Sequence, residues 1–279
     1  MGRTSSTQRM TSGGLAPSVG DRIREWRQRR RMSQLGLACE AEISTRHLSF
    51  LETGRAVPSR EMVLRLAERL EVPVRERNTL LLAAGYAPMF SQRPFDAPEL
   101  TAARAAIDLA LASQKPYPAF AVDRCWRIMA TNGALPQIYA GVAAELLEPP
   151  INVMRLSLHP QGLAPRIVNF AEWAGHLLHR LRQQVEATAD PELAMLLKEM
   201  NGYVSGPGHE PVDRDVQTAV LIPLKLSTQA GVISLFTTTM VFGSPVDVTL
   251  AELAIELFFP MDAETAERVR ELNGATQSQ

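Results

Sequence analysis

A helical bundle at the N-terminus followed by a mixed α+β module is the fold class predicted by three observations. Apolar residues recur at helical spacing between serine caps from Val19 to Ala84. After Pro116 and Pro118 the apolar rhythm shortens from roughly 3.6 residues to roughly 2. Charge also divides unevenly along the 279 residues. Residues 1–90 carry 15 Arg, no Lys and 9 Asp+Glu, a balance of +6, while the remainder balances at −7. That split suggests two modules with different partners, the basic one being a candidate for phosphate contact, with a solvated arginine-rich face as the alternative from charge alone.

Each element has its own signal. Residues 1–17 are Ser, Thr, Gly and Arg without periodicity and read as a flexible tail, in which Arg3 and Arg9 are the groups able to enter a DNA groove. Val19, Ile23 and Trp26 mark a first helix, with arginines on its other faces. Ser33 caps a second helix holding Leu35, Leu37 and Ala38, and a short turn follows at Glu40–Ile43. Ser44 caps a third, with Leu48 and Leu51 inward and Gly54 as its stop. Pro58-Ser59 opens a fourth through Met62, Val63, Leu66 and Leu70, and a fifth runs from about Val74 to Ala84 before Gly85 and Pro88.

Residues 89–100, with Pro94 and Pro98, read as a linker between a module at 18–88 and one at 101–272, leaving 273–279 as a tail. Thr101–Ala112 is an alanine-rich helix. Phe120, Val122, Trp126, Ile128 and Ala130 predict a β-hairpin. Asn152–Met200 is helical, with Leu177, Leu178, Leu181 and Val185 in one stripe. Val220–Leu226, Ile233–Met240 and Leu253–Phe259 alternate as strands, which completes an antiparallel sheet with inserted helices.

The stretch MSQLGLACEAEISTRHLSFLETGRAVPS carries the functional argument. Two short capped helices joined by a tight turn have the dimensions of a helix-turn-helix, whose second helix enters the major groove. Its leading residues are Ser44, Thr45, Arg46 and His47, followed by Ser49 and Phe50. Arg46 has the bidentate geometry to read guanine, and Thr45 or Phe50 suits a thymine methyl. Ser33 and Gln34 at the start of the preceding helix, and Arg55 beyond the reading helix, suit phosphate contact. Leu48 and Leu51 belong to the core, and Glu52 is a cap or an internal ion-pair partner.

The order Ser-Gln, Leu-x-x-Ala, Ile-Ser, Leu-Ser-x-Leu-Glu-x-Gly-Arg and Pro-Ser closely resembles the XRE, lambda-repressor-like, helix-turn-helix family over the first third of the chain. The family places glycine in the turn between the two helices, where a left-handed backbone is needed; here Glu42 stands there. Such a residue costs on the order of 1–2 kcal/mol and adds negative charge near DNA. VPVRERNTLLLAAGYAP, PYPAFAVDRCWRIMATN, NVMRLSLHPQGLAPRIVNF and FGSPVDVTLAELAIELFFP look like the subgroup with an MmyB-like C-terminal domain. That resemblance implies a PAS-like sheet wrapped by helices around an apolar cavity, suited to a fatty-acid-like or other lipophilic effector.

Read from the residues alone, Phe120, Val122, Met154, Leu156, Phe170, Trp173, Leu177, Leu224, Phe236, Met240 and Phe242 either line a pocket or fill a core. With the resemblance, they are the expected ligand-binding set. No metal is expected, because no carboxylate or cysteine completes the pair His176 and His179. Cys39 and Cys125 provide no disulfide framework. Catalysis is not expected either. The three lysines, Lys115, Lys198 and Lys225, follow no serine motif of a self-cleaving protease, and Gly206-Pro207-Gly208 lacks the strand–helix context of a phosphate loop. Neither a secretory leader nor an apolar run of about 18 residues is seen. The expectation is a cytoplasmic, homodimeric regulator that binds double-stranded operator DNA and a small lipophilic ligand. The rival reading makes the C-terminal module a dimerisation or protein-docking unit without a small ligand.

Overall fold

A computed structural model describes residues 17–134, 138–205 and 221–274. The tails expected at the two ends therefore lie almost wholly outside the described residues, as do Val220, His209 and Gly206-Pro207-Gly208. The chain forms two compact units that divide after Met89.

The first unit is all-helical: α1 (Val19–Arg29), α2 (Gln34–Glu40), α3 (Thr45–Glu52), α4 (Arg60–Arg69) and α5 (Val74–Ala83). Serines start the first four. The side chains of Ser18, Ser33, Ser44 and Ser59 accept from the N–H groups of Asp21, Gly36, His47 and Met62. All five helices stop by one device, a left-handed residue just past the C-cap: Arg31, Glu42, Gly54, Glu71 and Gly85. In each case the next N–H returns to the carbonyl five residues back, as in Ile43 to Ala38 (3.0 Å) and Arg55 to Phe50 (2.8 Å). Glu42 has φ 56°, so the left-handed turn expected at that position is present without glycine.

Ile23, Leu37, Leu48, Leu51, Leu66 and Leu70 fill the core of this unit. Gly20 sets how closely α1 approaches α3. A Cβ there would stand 2.3 Å from the Leu51 carbonyl oxygen, so only glycine permits this approach.

The second unit is α+β. Its elements are α6 (Thr101–Ser113), β1 (Ala119–Val122), β2 (Ile128–Thr131), α7 (Val153–Leu158), α8 (Phe170–Thr188), α9 (Pro191–Val204), β3 (Leu224–Thr228), β4 (Gly231–Val241), α10 (Val248–Ala251), β5 (Ala254–Pro260) and α11 (Ala263–Gly274). The strands form one sheet in the order β2-β1-β5-β4-β3, every neighbouring pair antiparallel, consistent with a PAS-like α+β domain. Both faces are covered. Phe120, Val122, Leu224, Leu226, Ile233, Leu235 and Phe258 join the main core with α7, α8 and α9, whereas Ala119, Ala121 and Ile255 pack on Ile107 and Leu111 of α6.

Four details differ from the sequence expectation. Trp126 is not a strand residue: it sits in the β1–β2 loop at φ 66°, where Asp123 Oδ1 accepts from the N–H groups of Cys125 and Arg127. The helical stretch is broken between His159 and Asn169. Tight packing marks that break, since a Cβ on Gly162 would stand 2.4 Å from the Leu156 carbonyl oxygen. The third strand begins only at Leu224. Helix α11 was not anticipated, although Ala266, Val269 and Leu272 repeat at helical spacing along it and the first two are buried.

Residues 90–100 belong to the second unit by bonding as well as by division. Ser91 pairs with Asp247, Arg93 forms an ion pair with the same carboxylate (2.9 Å), and Thr249 Oγ1 donates to the Arg93 carbonyl.

Candidate functional site

In the first unit, α3 has two unlike sides. Leu48 and Leu51 are fully inside, and Glu52 is buried behind them. Arg27 of α1 meets Glu52 bidentately, Nε to Oε1 at 2.6 Å and Nη2 to Oε2 at 2.9 Å. Gln34 Nε2 donates to the same carboxylate at 2.8 Å, so α1, α2 and α3 converge on one charge. Burial pushes the Glu52 carboxyl up, yet the bonds from Arg27 and Gln34 outweigh burial and hold it below the usual carboxylate value.

The outer side holds the residues expected to read DNA. Arg46 is exposed on the first turn, while Thr45, His47, Ser49 and Phe50 are half-buried around it. The Arg46 guanidinium lies 5.3 Å from the Phe50 ring centre, and that of Arg55 lies 5.9 Å from the same ring. Phe50 thus stands beside two cations. Ser33 and Ser44 spend an oxygen lone pair on their helix caps. Each keeps a hydroxyl hydrogen for a phosphate. Gln34 at the start of α2 also donates one amide hydrogen to Glu52, which helps orient the carboxylate that ties the helices together.

In the second unit, β1, α7, α8, β3, β4 and β5 enclose an apolar cavity. The empty space, counting the part open to solvent, is about 670 Å³. Of the expected ligand set, Phe120, Met154, Leu156, Trp173, Leu177 and Leu224 line it. Pro118, Trp126, Ile138, Tyr139, Val153, Ser157, Leu163, Arg180, Leu235, Thr237, Glu256 and Phe258 complete the wall.

Five expected residues lie elsewhere. Val122 and Phe170 belong to the same core but do not border the space. Phe236, Met240 and Phe242 sit on the opposite sheet face, because side chains alternate along β4 and the cavity takes Leu235 and Thr237. The pairing of Thr237 with Phe258 and of Phe236 with Phe259 extends that parity to β5. Phe236 stacks on Phe259, Phe242 packs toward α6, and Met240 is 41% exposed.

The wall has one charged pair. Arg180 of α8 donates to both carboxylate oxygens of Glu256 on β5, at 2.8 and 3.2 Å, and lies 4.8 Å from the Trp126 ring centre. Thr239 Oγ1 also donates to Glu256. His176, one turn from Arg180, is held below the usual histidine value by burial first and by the Arg180 charge second. Among the described residues, no three His, Cys, Asp or Glu side chains cluster as a metal would require, and no helix is long and apolar enough to cross a membrane.

The two units thus define a helix-turn-helix protein that carries an α+β domain hollowed around an apolar space. The family model described as the MmyB-like transcription regulator ligand binding domain matches residues 103–272, and one described as a helix-turn-helix domain matches residues 18–80. The chain belongs to the MmyB-like transcription regulator family. No curated protein matches it. Among solved structures, an RNA-binding light-oxygen-voltage receptor is 15% identical over 94% of this chain at a TM-score of 0.24, too low to carry a structural argument, and this chain covers 64% of that receptor.

Proposed function

We propose that the chain is a sequence-specific transcription regulator. Its first unit binds operator DNA through α3, and its second takes a small lipophilic, fatty-acid-like effector. It acts in the cytoplasm as a homodimer on paired half-sites. One observation carries this reading: α3 buries Leu48 and Leu51 while leaving Arg46 exposed on its first turn, beside Phe50. The helix-turn-helix match supports the DNA partner, and the ligand-binding family match together with the apolar cavity supports the small molecule. Regulation then requires the effector to bind the DNA-competent and DNA-incompetent states with different affinity. Residues 89–100 and α6, which follow the first unit in the chain, are the elements proposed to transmit that difference.

The test for the DNA half is Arg46→Ala. Specific operator binding, measured by fluorescence anisotropy, weakens by about 1–3 kcal/mol while thermal unfolding is unchanged. Undiminished binding by that variant would remove α3 as the reading helix. For the effector half, native mass spectrometry of the purified chain detects a co-purifying acyl molecule, or added lipids raise the melting temperature of the second unit. Indifference to every lipophilic compound would leave the domain as a dimerisation or docking module.

A further inference from the structure

Given that α3 is the helix that reads DNA, as proposed above, we infer that Phe50 is a positioning residue for two different contacts. Its ring holds the Arg46 guanidinium toward a base edge and the Arg55 guanidinium toward the phosphate backbone. Guanine recognition and one backbone contact therefore depend on the same side chain.

Two local geometries bring the three side chains together. Arg46 precedes Phe50 by four residues on α3, the spacing at which side chains on one helix are neighbours. Past the helix, Gly54 turns left-handed at φ 72°, and the N–H groups of Arg55 and Ala56 both return to the Phe50 carbonyl, at 2.8 and 3.1 Å. The two guanidiniums then stand 5.3 and 5.9 Å from one ring centre. An aromatic ring carries negative charge on its faces, so it attracts both cations where they would otherwise repel each other.

The charge gathered here is unspent. Both arginines are exposed, and among the described residues neither guanidinium forms an ion pair or donates a hydrogen bond. Trp26 also stands beside two arginines, at 6.0 and 5.5 Å, but there the cations serve the fold. Arg29 is paired with Glu25, and Arg30 donates to the carbonyls of Leu70 and Glu71. A ring attracts a guanidinium without consuming its donors, whereas a carboxylate would take them. The ring also narrows the rotamers of two long side chains before DNA arrives, which lowers the ordering cost of binding.

The probes are a duplex selected by the full chain from a randomised DNA pool, its single-base variants and a shuffled copy. The guanine read by Arg46 is the position whose preference disappears in Arg46→Ala. Phe50→Leu, which stays apolar but lacks the ring, is expected to lower discrimination at that guanine about fivefold. It is also expected to flatten the salt dependence of binding by about one phosphate contact, while Phe50→Tyr retains both properties. A mere loss of folded protein would weaken every probe alike, leaving discrimination and salt dependence where they were. Phe50→Leu with both readouts unchanged, with only one of them changed, or with preference lost at a thymine alone overturns the inference while α3 remains the reading helix. An equal loss in Phe50→Tyr does the same. If the unaltered chain prefers no duplex, the DNA reading and this inference are removed together.

Discussion

In the first unit, every group offered to a partner comes from one stretch of chain, Ser33 to Arg55, and its geometry is set by caps and turns inside that stretch. In the second, the offered surface is an interior, built from six elements that begin at Pro118 and end at Phe258. An outward-facing site leaves its side chains free of the fold, so they can change with little effect on stability. An inward-facing site shares its side chains with the core, so recognition and stability are coupled. Arg46 and Leu177 stand at the two poles of this contrast.

The largest expected effect breaks the first unit from within. Glu52→Ala leaves Arg27 with its charge buried and unpaired, which costs about 3–5 kcal/mol. In differential scanning calorimetry the transition of the first unit falls while that of the second stays in place. The same pair gives the unit an acid limit. Because Glu52 has a depressed value in the folded state, its contribution is present above the ordinary value of 4.5 and is lost as pH falls through the folded one. Glu52→Gln is expected to flatten this acid limb of the stability curve.

Next come two leucines of α8. Leu181 is fully buried away from the cavity, whereas Leu177 borders it. Leu181→Ala is expected to cost about 2–5 kcal/mol in chemical denaturation, and Leu177→Ala less, because part of its surface already faces empty space. Equal losses would mean that the cavity wall behaves as ordinary core. Gly20→Ala forces α1 off the Leu51 carbonyl and is expected to cost about 1–3 kcal/mol, again only in the first unit. The smallest effect has the opposite sign. Glu42→Gly removes a side chain from a left-handed position and a negative charge from the reading face, gaining about 1 kcal/mol of stability and tightening DNA binding at low salt.

How much of each unit was legible in the sequence follows the same contrast. Ser33, Ser44 and Gly54 act within a few residues of themselves, so spacing alone located them, and the resemblance to the helix-turn-helix family pointed to the left-handed turn at Glu42. The cavity depends on which β4 residue faces which β5 residue. Alternation divides β4 into two sets, but α6 buries one sheet face and α7 to α9 the other, so hydrophobicity could not choose between them. Phe236, Met240 and Phe242 fell on the α6 side for that reason. Arg180 and Glu256 escaped notice because a polar residue in an apolar wall is recognisable only once its partner, far away in the chain, is seen beside it.

The return bond from Ile43 to Ala38, the Arg27–Glu52–Gln34 junction and the close approach at Gly20 together weld α3 to its neighbours as one rigid head. Re-aiming α3 against α1 and α2 would mean breaking those contacts. Any partner that displaces α3 therefore displaces α1 and α2 with it, as one body.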